Sequence, residues 1–376
     1  MAVLINLHLI LKIMLSHVNC LKTGRNTRVF FILMIIVVAG LQVMIHRIKT
    51  SEQIVLVQSR TKANTNEDYY EEQVSSCNET FNTTLEDNLQ VIQNYPIGSA
   101  DVYVRRFGAY NDGPKEIRAF PVFVTAFDET HYNESQGLFK SIHETFLVSP
   151  KYKDKLLILV YDLGMTPSQI RTVENNCKCE VRQFIFQQFP QHVNVLQTYA
   201  FKPLIVQEVL MEFGFVWWMD TSIRFRTNDI DSVIENAKKY SYLFTVSLNY
   251  LAVGTLTKHT FKATFDFLRE DRCKFKRFHE IWATTLLFHF DRITSIVVRA
   301  WVKCALNELC IAPEGSLHKR GCNFQHDYDG RCHRFDQSVL GIITRRIINE
   351  YDYPTARTLP PNIYNIERRN IVPYFE

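Results

Sequence analysis

Between residues 119 and 225 the chain repeats one pattern, an unbroken apolar run of strand length followed by a stretch with helical spacing. The runs are AFPVFVTAFDE (119–129), KLLILVYDLGM (155–165), CEVRQFIF and FVWWMDTSIRF (215–225). Between them lie SQGLFKSIHETFL, TPSQIRTVENN and TYAFKPLIVQEVLMEFG. Strands that are apolar on both faces belong to a sheet covered on both sides, and strand–helix alternation makes such a sheet mainly parallel. The spacing therefore predicts an α/β fold with a mainly parallel, mixed sheet flanked by helices. Local signals agree: Thr166 reads as an N-cap with Pro167 at the first helical position, and Gly214 closes the third helix. Downstream, DIDSVIENAKKY and RITSIVVRAWVKCALN read as helices, SYLFTVSL and EIWATTLLFHF as strands, and RFDQSVLGIITRRIINEY (334–351) as an amphipathic helix with Asp336 near its N-cap.

In open α/β sheets, ligands bind beyond the carboxyl ends of the strands. Asp128, Asp162 and Asp220 each stand at such an end, which makes them candidate site residues; each also suits an ordinary turn or helix cap. Trp217, Trp218, Trp282 and Trp301 read as core. No GxxxxGKS loop, strand-linked GxGxxG or GxSxG elbow is present, which argues against P-loop, dinucleotide-binding and α/β-hydrolase sites. The net charge of +4 is small for 376 residues, and the Lys and Arg are scattered, so nucleic acid is not an expected partner.

Residues 29–46 carry no Lys, Arg, Asp or Glu and have basic residues on both sides. At helical rise this is just long enough to cross a bilayer core, so a single transmembrane helix is expected here. Lys and Arg counts on the two sides tie and leave the orientation open. Asn78, Asn82 and Asn133, which head glycosylation triplets, place the downstream body in the lumen. Eight of the nine cysteines follow the span, an even number suited to disulfides in a secretory compartment, and their spacings lack the CxxC pairs of a zinc site. The expected layout is a cytosolic segment (1–28), a span (29–46), a polar stem (47–100) and a luminal domain (101–376), in the Golgi or endoplasmic reticulum membrane with single-pass type II topology.

This layout resembles that of Golgi glycosyltransferases. LVYDLGM, YAFKPLIVQEVL, FVWWMDTSIRF, WVKCALNELCIAPEGS and CHRFDQSVLGII together resemble a nematode-expanded family of uncharacterised, glycosyltransferase-like type II membrane proteins. The wider resemblance is to the GT-A nucleotide-sugar fold, in which carboxylates of a strand-end Asp-x-Asp hold a divalent cation against the donor diphosphate. The resemblance implies Mn²⁺ or Mg²⁺ held by Asp220 and Ser222, the latter a hydroxyl in place of the second carboxylate. It implies that Asp336 and Gln337 face the reacting sugars, with Asp336 a base toward an acceptor hydroxyl. Asp128 or Asp162 would contact the nucleotide, and Lys202 and Arg224 the diphosphate. His318, His326 and His333 are further candidates for a metal or phosphate contact. The implied function is transfer of a sugar from a nucleotide-sugar donor to a glycan or protein acceptor. A catalytically silent glycan-binding or scaffolding protein and a hydrolase with paired carboxylates are the alternatives.

Overall fold

The computed structural model describes residues 81, 84–96, 101–106, 113–246, 254–322, 328–347 and 357–375. The expected span (29–46), Asn78, Asn82 and His326 lie outside them. No helix among the described residues is long and apolar enough to cross a membrane.

In chain order the elements that matter here are α1 (Leu85–Gln93), β1 (Val122–Phe127), α2 (Tyr132–Ile142), β2 (Ile158–Asp162), α3 (Pro167–Asn176), β3 (Glu180–Gln183), α4 (Phe201–Phe213), β4 (Phe215–Met219), β5 (Ile223–Phe225), α5 (Asp231–Tyr240), β6 (Tyr242–Val246), β7 (Ile281–His289), α6 (Arg292–Ala305), α7 (Asp336–Ile347) and β8 (Tyr364–Ile366). Six strands form one sheet in the order β3-β2-β1-β4-β7-β6. Neighbours from β3 to β4 are parallel, while β7 runs antiparallel to both β4 and β6. Five strands thus point one way and β7 alone opposes them. The short β5 leaves this sheet and pairs with β8 near the C-terminus.

Alternation along the strands builds two cores. Val122, Val124, Val216 and Trp218 face one side, packed with Leu204 of α4, Trp301 of α6 and Val339 of α7. Phe123, Phe127, Phe215, Trp217 and Met219 face the other, with Leu138 of α2, Val173 of α3 and Val233 of α5. Each fully buried large apolar side chain contributes roughly 1.5–3 kcal/mol, so the unbroken apolar runs specify a three-layer sandwich rather than a one-sided sheet. Both tryptophans of β4 are core, as expected, and each indole N–H has a partner: Trp217 Nε1 donates to Thr285 Oγ1 at 2.9 Å and Trp218 Nε1 to Asp220 Oδ1 at 2.8 Å.

The caps follow the sequence. Thr166 and Gln169 form a reciprocal capping box on α3 with Pro167 in the first turn. Gly214 ends α4 at φ +67, where a Cβ would lie 3.0 Å from Glu116 O, so glycine is required both for the backbone angle and for space.

The stem reading does not hold for residues 84–96. Here α1 packs on the body, with Leu89 and Ile92 at 0% and 1% exposure. Tyr95 donates to Glu270 Oε1 at 2.6 Å, and Glu270 pairs with the buried Arg346 of α7. A helix that buries so few apolar side chains leaves a weak periodic signal, which its polar neighbours hid. Disulfides join Cys177 to Cys179, Cys304 to Cys310 and Cys322 to Cys332. His259, Cys322 and Cys332 lie close together, but both cysteines are oxidised, so this cluster offers no thiolate to a metal.

Candidate functional site

The site begins where β4 ends. Asp220 follows Met219, and its N–H bonds to Thr284 O of β7 at 2.8 Å. The chain then turns, with Ile223 N–H bonding back to Asp220 O at 3.1 Å. Asp220 is left facing a cavity of about 410 Å³ at the carboxyl end of β4. The N-terminal ends of α4 and α7 converge on the same cavity, bringing Lys202 and Asp336.

Lys202 Nζ is 3.1 Å from Asp220 Oδ1, 3.1 Å from Asp336 Oδ2, and donates to Ala283 O at 3.0 Å. The Tyr199 and Trp218 rings lie 5.3 and 5.4 Å from the ammonium. Lys202 is 2% exposed. Burial works against its charge, but the carboxylates of Asp220 and Asp336 outweigh it and hold the ammonium above its ordinary range. Asp336, 3% exposed, has its carboxyl pushed up to about 6, chiefly by burial and further by Asp220, although Lys202 opposes the rise. Burial and the nearby Asp220 also raise the Tyr199 hydroxyl.

Two backbone outliers shape the cavity. Tyr199 and Phe335 both line it, with φ of +55 and +46. Left-handed backbone at an aromatic residue is rare and costly, and it concentrates at functional sites. Phe335 stands directly before Asp336 and re-aims the chain as it enters α7. Arg320, Arg334 and Arg368 complete the cationic wall. Arg334 Nε is buried without a hydrogen-bond partner. Four cations thus face two carboxylates, an excess of two positive charges.

The sequence-predicted residues separate into two groups. Asp220, Asp336, Gln337, Lys202 and His333 come together at this cavity, and the other candidates among the described residues do not line it. Asp128 Oδ1 accepts from Thr130 Oγ1 at 2.7 Å and His131 Nδ1 at 2.8 Å, at the turn leading into α2. Burial acts to raise its carboxyl, and the His131 and Thr130 bonds prevail to lower it. Asp162 Oδ1 accepts from Gly164 and Met165 N–H at 2.8 and 2.6 Å, closing a turn. Both are loop carboxylates, the ordinary role that the strand-end position also allowed.

Arg224 is a clamp. Its guanidinium donates to the carbonyls of Ile223, Glu134 and Asn370 at 2.9, 2.9 and 3.2 Å. Ser222 is 5% exposed, turned into the body, with its carbonyl accepting from Glu367 N–H. The turn after Asp220 sends the two residues apart, so no Asp-x-Ser pair faces the cavity. Gln337 borders it, but its amide is engaged: Nε2 donates to Glu280 Oε2 at 2.8 Å and Oε1 accepts from Ala283 N–H at 3.3 Å. It therefore positions β7 against α7. His333 is buried, with Nδ1 accepting from Phe261 N–H and Nε2 donating to Ile311 O. Burial drops it to about 4, so it stays neutral and offers neither ring nitrogen to a ligand. His318 is exposed on a short turn and does not line the cavity.

The donor set does not fit a divalent cation. Mn²⁺ and Mg²⁺ need several hard oxygens around a position free of other charge. Here two carboxylates converge, and a fixed ammonium already lies 3.1 Å from each. A cation on the same oxygens would meet that ammonium at close range. The part of the site missed by sequence reading is the cationic wall: Arg320 and Arg368 carry no motif, and Arg334 was visible only as a neighbour of Asp336 in RFDQS.

Residues 111–207 match the model of a family described as a protein of unknown function (DUF1647), a stretch running from ahead of β1 into α4. No curated protein matches the chain. Among solved structures, the galactosyltransferase LgtC in complex with donor and acceptor sugar analogues is 11% identical, with 65% of this chain and 86% of that chain covered and a TM-score of 0.35. Core-mannan synthase A from Aspergillus fumigatus, in a Mn/GDP form, is 13% identical over 68% and 78%, with a TM-score of 0.37. The S. cerevisiae mannosyltransferase Ktr4p in complex with GDP is 8% identical over 69% and 80%, with a TM-score of 0.35. Likeness at this level carries no residue, ligand or reaction over to this chain.

Proposed function

We propose that this chain is a glycosyltransferase-like protein with a GT-A-type nucleotide-sugar fold. It takes a nucleotide sugar and transfers the sugar to a glycan or protein acceptor in the secretory pathway, anchored by residues 29–46 with its body in the lumen of the Golgi or endoplasmic reticulum. The observation that carries the reading is the meeting of Asp220 and Asp336, from distant parts of the chain, on one ammonium in a cationic cavity at a strand's carboxyl end. A diphosphate suits the excess positive charge, and a sugar suits the carboxylates and hydroxyls beside it. Asp336 is ionised at neutral pH yet more basic than an ordinary carboxylate, which suits a group that accepts a proton from an acceptor hydroxyl.

Lys202 also favours the silent alternative, because an ammonium fixed between the carboxylates and an amide already spent at Gln337 leave fewer free reacting groups. A hydrolase acting through Asp220 and Asp336 is disfavoured: the bond to be broken would have to lie between them, where Lys202 Nζ stands. A thermal-shift screen of the protein against UDP, GDP, CMP and their sugars tests the proposal. One nucleotide class should stabilise it, and release of free sugar from that donor separates the enzyme from the silent binder. Absence of stabilisation by any of them would refute the reading.

A further inference from the structure

We propose that Lys202 itself supplies the positive charge for which a divalent cation is otherwise needed, so that this cavity binds a diphosphate-bearing ligand without metal. The proposal rests on the nucleotide-sugar reading above and deepens it by assigning how the diphosphate is held.

Three observations support it. The ammonium is locked in place, with two carboxylate oxygens at 3.1 Å, a carbonyl at 3.0 Å and two aromatic rings beside it. It is a built-in charge and needs no reorganisation when a ligand arrives. Asp336 Oδ2 is buried against Lys202 at 3.1 Å with no other partner, so the ammonium stands in the place beside this oxygen that a metal cation would need. The remaining cations are arginines, whose planar forks match phosphate oxygens. Arg334 holds a buried Nε with no hydrogen-bond partner, and Arg320 and Arg368 stand exposed at the cavity's wall, where a ligand reaches them first. Four cations set against two carboxylates leave room for about the charge of one diphosphate. The carboxylates have a second role: without them, a fully buried ammonium would tend to lose its proton.

The test uses the full chain, with inorganic pyrophosphate and Mn²⁺ as separate probes. Pyrophosphate and the nucleoside diphosphate found in the screen should both bind in EDTA, and adding Mn²⁺ or Mg²⁺ should change their affinity less than threefold. Mn²⁺ alone should not stabilise the protein. Arg334→Gln should weaken pyrophosphate binding about tenfold or more, the loss of one charged hydrogen bond. Lys202→Met leaves two carboxylates facing one another with no cation between them. That variant should acquire stabilisation by Mn²⁺ alone that the natural chain lacks. If it does not fold, the EDTA comparison and Arg334→Gln still decide. Binding that appears only with Mn²⁺, or rises tenfold with it, overturns the inference while leaving the nucleotide-sugar reading intact. Pyrophosphate binding in EDTA with no nucleotide binding upholds the anion site and removes the nucleotide-sugar reading. Failure of pyrophosphate to bind under either condition removes the inference alone, and failure of the nucleotides as well removes the nucleotide-sugar reading with it.

Discussion

Asp336→Asn should change how stability depends on pH, and the size of the change can be worked out. The carboxyl is held at about 6 in the folded protein, against an ordinary 3.8. At 1.36 kcal/mol per pH unit this corresponds to roughly 3 kcal/mol. At 3% exposure, solvent screening does little to reduce it. Because the folded value is raised, the folded state holds the proton more tightly than the unfolded chain. The contribution of Asp336 to stability is therefore complete below about pH 3.8 and is lost as pH rises through about 6. Asparagine does not titrate, and its carbonyl keeps an acceptor near Lys202. The stability of the variant relative to the natural protein should thus rise by roughly 3 kcal/mol between pH 3 and pH 7, most of it before pH 6. Urea unfolding followed by the fluorescence of the buried Trp217, Trp218 and Trp301 measures this at each pH. Comparing the two proteins cancels every other titrating group. A difference that stays flat within about 1 kcal/mol, or that falls with pH, would refute the argument that burial dominates at Asp336.

Thr166→Ala removes half of the capping box on α3 and should cost about 1 kcal/mol in urea unfolding, with no effect on ligand binding. Glu270→Ala leaves the buried Arg346 without its carboxylate and Tyr95 without its acceptor; a loss of about 3–5 kcal/mol is expected, read as a lowered urea midpoint. Gly137→Ala places a Cβ 2.5 Å from the Arg224 guanidinium. Because Arg224 is held by several carbonyls, it cannot move aside freely, and a cost of about 1–3 kcal/mol should appear together with faster proteolysis near Asn370.

Much of the sheet was legible because β1, β2 and β4 are buried on both faces and read as unbroken apolar runs, whereas the edge strand β3 is largely uncovered and its EVRQ is polar. The helices following β1, β2 and β3 were legible from their period, and α3 and α4 from Thr166, Pro167 and Gly214 as well. The reversed direction of β7 was not, since a strand's residues carry no mark of its polarity when both faces are apolar. The split between β4 and β5 was hidden inside one apolar phrase. At the site, Asp220 was a candidate from its strand-end position, and Asp336 was singled out through the resemblance carried by RFDQS, its helix-start position alone suggesting only a cap. Ser222 and Arg224 lie away from the cavity because one tight turn decides which side chains after Asp220 face outward, and that turn is fixed by Thr284, more than sixty residues away in sequence. Lys202 was singled out, but its place between two carboxylates depends on α4 and α7 meeting, which no local pattern records.

The segment that follows α7 returns to the body through β8, is held by Arg224 at Asn370, and sets Arg368 into the cavity wall. The order of synthesis therefore matters. A chain emerging N-terminus first can pair β1 with β2 and β4 early, yet its pocket stays incomplete until residue 368 has been made. Until then Arg224 lacks one of its carbonyl partners and β5 has no mate. A stall or truncation ahead of that point should leave a body with a formed sheet and an unfinished pocket.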